Sequence, residues 1–146
     1  MVLSNGPQFL WLVAHFGQAS VLDATQEATL WGNNADPDHD GVSNLQEYLN
    51  GSDPNLAANA DACSVMIAAD AGTGQILISF KRRTNDPRFT YVLQTSTNLG
   101  NWSSASGLIQ GQSATTINAE FEMVTLRLTI SSVENQALIF RISVQY

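Results

Sequence analysis

The stretch 36–47 constrains this chain more than any other. It reads Asp36-Pro-Asp-His-Asp-Gly-Val-Ser-Asn-Leu-Gln-Glu47. Hard divalent cations take oxygen ligands, and a twelve-residue loop supplies them from positions 1, 3, 5, 7, 9 and 12. Those positions hold Asp36, Asp38, Asp40, the backbone carbonyl of Val42, Asn44 and Glu47. Gly41 stands at position 6, where the chain turns sharply and a positive φ is cheapest for glycine. Capping a following helix needs one carboxylate, and this loop aligns four. The pattern therefore predicts one bound Ca²⁺. Asn44 is a ligand that can act through water, and Glu47 is one that can give both oxygens. The role expected of the ion is structural, because a solitary loop lacks the paired partner that lets calcium sensors open.

The flanks of the loop read as short helices. Pro7 suits a first helical position, and Phe9, Leu10, Leu12, Val13 and Phe16 recur at helical spacing up to Gly17. A weaker helix is expected over 20–31, and a better one over 43–50, which Gly51 stops and Asp53-Pro54 prevents from continuing. Trp11 and His15 lie four apart, as packing partners or as a binding face. Residues 55–61 read as a linker. Beyond them the periodicity changes to alternation, which predicts strands over 64–69, 75–82, 90–97, 121–130 and 138–146. Phe121 and Val124 have opposite parity, which predicts a bulge between them. The polar run 107–118 has room for one or two short strands. The expected class is α+β: residues 1–61 form short helices around an EF-hand-like calcium loop, and residues 62–146 form an antiparallel β-sandwich.

Composition narrows the function. The formal charge is −7, from 6 basic and 13 acidic residues, the wrong sign for a nucleic-acid or anionic-membrane surface. No run approaches the ~20 apolar residues of a membrane span. The start has no basic n-region, so it does not read as a signal peptide. The sequence is read as a fragment of a longer secreted chain. A single cysteine, Cys63, excludes an internal disulfide and is either buried or a link to a partner chain. Neither His15 nor His39 stands in a nucleophile, phosphate or zinc motif, so the chain is read as non-catalytic. Lys81-Arg82-Arg83 is expected to be a solvated strand end with one arginine pairing inward to an acid.

The run from Asp36 to Glu47, continued as Tyr48-Leu-Asn-Gly-Ser-Asp-Pro54, resembles the calcium segments of thrombospondin type 3 and dockerin-like repeats. From Trp31 onward the chain is similar to an acidic helical segment and small β-domain near the C-termini of large secreted bacterial proteins. The run Tyr91-Val-Leu-Gln-Thr-Ser-Thr-Asn-Leu-Gly-Asn-Trp102 and the strand Leu138-Ile-Phe-Arg-Ile-Ser-Val144 carry that second likeness. Thrombospondin-type repeats come in arrays, whereas this loop stands alone. The resemblance implies a secreted or cell-surface accessory module, covalently attached to catalytic or surface domains. Two roles follow from it: a carbohydrate-binding module for a polysaccharide, or a structural spacer, anchoring or sorting module. For the first, Trp31, Trp102 and Tyr91 are the candidate ligand-binding rings, since the apolar face of a sugar stacks on an aromatic. The preferred reading of Trp102 itself is a lid over the end of the β-domain core.

Overall fold

A computed structural model describes residues 6–57, 65–70, 72–129 and 137–146. Cys63, the end of the linker with the 61/62 boundary, the strand end at Ile130 and the turn at 132–135 lie outside the described residues. The architecture is α+β, with a few short helices followed by two antiparallel sheets. The chain divides into two compact units, Met1–Cys63 and Ser64–Tyr146. Among the described residues no helix is long and apolar enough to cross a membrane.

In the first unit, helix α1 spans Pro7–Phe16 and α2 spans Gln18–Leu22. Gly17, at φ 79°, separates them. The helix expected over 20–31 is broken at Asp23. Its carboxylate accepts from the Thr25 backbone N–H at 2.9 Å, the Thr25 hydroxyl at 2.6 Å and Gln26 Nε2 at 3.0 Å. This side-chain turn offers the backbone an alternative to the α ladder. A 3₁₀ turn, Ala24–Gln26, and a π turn, Glu27–Trp31, follow instead. Gly32 closes the π turn, its N–H donating to the Glu27 carbonyl at 2.7 Å. Leu12, Val21 and Trp31 form the small core, with Phe9, Trp11, Val13, Phe16 and Leu30 packed around it. Helix α3, Asn44–Asn50, leaves the loop. Its start is fixed by the Ser43 N–H donating to Gln46 Oε1 at 3.0 Å, and Gly51 ends it in the left-handed region.

The second unit holds β1 (Met66–Asp70), β2 (Gln75–Arg83), β3 (Thr90–Ser96), β4 (Ser103–Ser104), β5 (Ile109–Thr116), β6 (Phe121–Leu128) and β7 (Ile139–Gln145). One sheet has the order β1-β2-β6-β5 and the other β4-β3-β7. The alternation in the sequence selects the buried side: Ile78 and Phe80 of β2, Val124, Leu126 and Leu128 of β6 and Leu93 of β3 share one core, joined by Phe140 and Ile142. The run 107–118 supplies a single edge strand, β5.

The bulge expected between Phe121 and Val124 is absent: β2 and β6 pair without interruption from Arg83↔Phe121 to Ile76↔Leu128. Phe121 is buried on the other face of its sheet. Arg83 lies over its ring at 4.3 Å and Lys81 at 5.0 Å, so cations rather than a register shift cover the odd-parity ring. The register irregularity of this sheet falls in β5, between Ile109 and Gly111. Of the basic trio, Arg83 is the buried member, on the outer face of the sheet with Phe121. Its Nη1 lies 3.4 Å from Glu120 Oε2, while Arg82 pairs with Glu122.

Candidate metal centre

The loop 36–47 is closed before any ligand is considered. The Ala35 N–H donates to the Gly32 carbonyl at 3.0 Å, Asn44 N–H to Ala35 at 2.9 Å and Leu45 N–H to Asn33 at 3.1 Å. Gln8 of α1 holds the entrance, with Nε2 donating to Asn33 Oδ1 at 2.8 Å. Within the loop each aspartate takes a backbone N–H. Gly41 donates to Asp36 Oδ2 at 3.0 Å, Asp40 to Asp38 Oδ1 at 3.2 Å and Val42 to Asp40 Oδ1 at 2.8 Å. His39 at φ 62° and Gly41 at φ 88° make the sharp bends these bonds require. His39 itself is exposed.

These constraints gather Asp36, Asp38 and Asp40, one carboxylate oxygen of each lying within 4.8 Å of the others. Asp36 Oδ1 and Asp38 Oδ2 are buried with no hydrogen-bond partner. Glu47, on the first turns of α3, is 0% exposed, and neither of its carboxylate oxygens has a hydrogen-bond partner among the described residues. Burial pushes its pKa up to about 7, and the charges of Asp38, Asp40, Asp36 and Asp53 push in the same direction. Asp38 is also raised, first by burial and then by its acidic neighbours, against the lowering bond from the Asp40 N–H.

Asn44 anchors the loop. Its Nδ2 donates to the Leu30 carbonyl at 2.8 Å and to the Gly32 carbonyl at 3.0 Å, which locks the loop onto the preceding π turn. Its Oδ1 is left buried and without a partner. The sequence pattern identified Asn44 only as an oxygen donor. The anchoring role was invisible because the π turn it grips was not expected. Asp53 Oδ1 accepts from the Asn55 N–H at 3.0 Å and lies 3.4 Å from His15 Nδ1.

No lysine or arginine offsets this cluster from within its own unit. All six basic residues, at 81, 82, 83, 88, 127 and 141, follow Cys63, and eight of the thirteen acids precede it. Several kcal/mol would ordinarily oppose a buried, unpaired carboxylate such as Glu47. The donor set therefore fits a hard divalent cation: all its free atoms are oxygens, its charge is negative, and its unpartnered buried oxygens are those a cation would satisfy.

The three candidate ligand-binding rings fare differently. Trp31 is 6% exposed, and its indole N–H donates to the Asp23 carbonyl at 3.1 Å. It is a core residue and offers no face to a sugar. Tyr91 stacks on Phe80 with centroids 6.2 Å apart against the β core, and its hydroxyl accepts from the Arg83 N–H at 3.2 Å. It is partly buried. Trp102 is partly buried as well, beneath Arg141. Trp11 and His15 prove to be packing partners, with ring centroids 4.7 Å apart, and Trp11 also meets the buried Tyr48 edge-on at 5.5 Å. No family model, curated protein or solved structure matches this chain.

Proposed function

We propose that this chain is a non-catalytic, calcium-stabilised accessory module of a larger secreted or cell-surface protein. Its 36–47 segment acts as an EF-hand-like loop, and its two sheets pack as a β-sandwich. The observation that carries the reading is Glu47: a fully buried carboxylate with two unpartnered oxygens beside three aspartates, in a unit without lysine or arginine. Asp36, Asp38, Asp40, the Val42 carbonyl, Asn44 and Glu47 would hold the ion. Calcium is favoured over magnesium because magnesium prefers to keep several waters, whereas this set offers protein oxygens at every loop position. The bound ion supplies the positive charge that the unit itself lacks.

The proposal includes a secreted setting, where free calcium is abundant enough to fill even a weak site. A spacer or anchoring role is favoured over a broad aromatic platform by the burial of Trp31 and the packing of Tyr91 against the β core. The β-sandwich reading is supported by one apolar core that draws on both sheets. Calorimetric titration with CaCl₂ and thermal melting with and without chelator test the proposal. Saturable binding and a melting transition raised by calcium are expected. A chain that takes up no calcium at millimolar concentration, and melts identically in chelator, overturns it.

A further inference from the structure

Arg82, Arg83 and Arg88 each face a carboxylate, from Glu122, Glu120 and Asp86. Arg141 faces none among the described residues, yet it is held in place. Its Nε donates to Gln94 Oε1 at 2.8 Å. Its guanidinium carbon lies 4.1 Å from the centroid of the Trp102 ring. Trp102 is positioned in turn by its indole N–H, which donates to the Leu99 carbonyl at 3.0 Å. The turn that carries Leu99 is pinned by Asn98 Oδ1, which accepts from the N–H groups of Gly100 and Asn101 at 3.0 Å each. One face and the Nε of this guanidinium are thus committed, while the side chain as a whole is exposed. What remains is the fork of Nη1 and Nη2, a fixed pair of donors whose geometry matches a carboxylate.

The surroundings narrow the ligand. Strand pairing sets Gln94 opposite both Arg141 and Ser104, and Ser143 lies two residues along β7 on the same face. The Gln94 amide therefore flanks the guanidinium with an aromatic ring at its back, Ser143 is the next residue of β7 on that face, and Ser104, whose hydroxyl donates to Ser106 Oγ at 3.1 Å, lies one strand further across. We propose that Arg141, Gln94 and Trp102 form a subsite for a carboxylate-bearing sugar, a uronate unit of an acidic glycan. Arg141 takes the carboxylate end-on, Gln94 and Trp102 hold the guanidinium flat, and Ser104 and Ser143 stand within the strip that meets the sugar hydroxyls. The subsite lies in the second unit and does not depend on the metal.

The test is a titration of the full-length, ¹⁵N-labelled chain with trigalacturonate in calcium-containing buffer, following the Arg141 Nε and Trp102 indole resonances. Saturable shifts of both are expected, together with affinity about tenfold weaker in Arg141→Lys, which keeps the charge and loses the fork. Gln94→Ala should weaken binding less, because it frees the guanidinium without removing it. Thermal melting of each variant establishes that it is folded. The proposal is overturned by no saturable shift up to about 10 mM ligand, by unchanged affinity in a folded Arg141→Lys, or by equal binding of a neutral galactose trimer. Equal binding of a triglutamate peptide also overturns it, since the site would then recognise carboxylates without regard to the sugar.

Discussion

Replacing Glu47 by Gln should change the sign of its effect with the medium. The substitution keeps the shape and removes the charge. Glu47 has a folded pKa of about 7 against 4.5 for the free side chain, a difference that corresponds to about 3 kcal/mol against the ionised form. Solvent around the half-exposed aspartates screens part of that, leaving about 2 kcal/mol. The amide leaves its own polar atoms unpaired at a cost of about 1 kcal/mol. In chelator above pH 7, Glu47→Gln should therefore stabilise the first unit by about 1 kcal/mol. With calcium at a hundred times its dissociation constant the wild type gains about 2.7 kcal/mol. The variant, deprived of the carboxylate, gains almost none and ends nearly 2 kcal/mol below the wild type. Urea denaturation at pH 8 measures both differences. Trp11 and Trp31 lie in the first unit and Trp102 in the second, so tryptophan fluorescence in a Trp102→Phe background reports on the first unit. Equal destabilisation in chelator and in calcium, or equal calcium-induced shifts of both midpoints, refutes the reasoning.

The same carboxylate predicts a pH profile. Its pKa is raised on folding, so in chelator its contribution is most favourable below about 4.5 and is lost as pH rises toward about 7; with saturating calcium that decline should vanish, which urea midpoints from pH 4 to 8 will show. Asp40→Ala should abolish calcium uptake in calorimetry, while His39→Ala, at an exposed position, should leave it nearly unchanged. Gly32→Ala should destabilise the first unit by about 1–3 kcal/mol, because a Cβ there would overlap the Glu27 carbonyl oxygen that closes the π turn; an unaltered melt would mean the turn is not tightly held. Trp31→Ala should cost about 3–5 kcal/mol as a core truncation, measured by circular dichroism melting.

The clustering of Asp36, Asp38 and Asp40 was legible because it is local: oxygen-bearing side chains at fixed spacing are written directly into residues 36–47. The interior strands were legible for a similar reason, since Ile78 and Phe80, or Val124 and Leu126, alternate toward one face. What escaped depends on partners distant in sequence. Phe121 broke the alternation because Arg83 and Lys81 from the neighbouring strand cover it on the outer face. Trp31 looked available at the loop entrance, but the Asp23 turn folds back to accept its indole N–H. Asn44 could be recognised as a donor of oxygen, but not as the clamp on Leu30 and Gly32. The short β4 had no periodicity of its own and exists through its pairing with β3.

The separation of charge along the chain has a consequence for when folding happens. The acidic residues of Met1–Cys63 have no lysine or arginine in their own unit, so without an ion they repel one another and the segment favours expansion. On the calcium reading, its order is decided by the medium it enters. In a compartment kept poor in free calcium, the first unit would stay loose while Ser64–Tyr146, with its own core, could already close. Reaching a calcium-rich exterior would then complete the molecule. The sequence 36–47 would serve as a clock as well as a scaffold, setting the last step of folding by location.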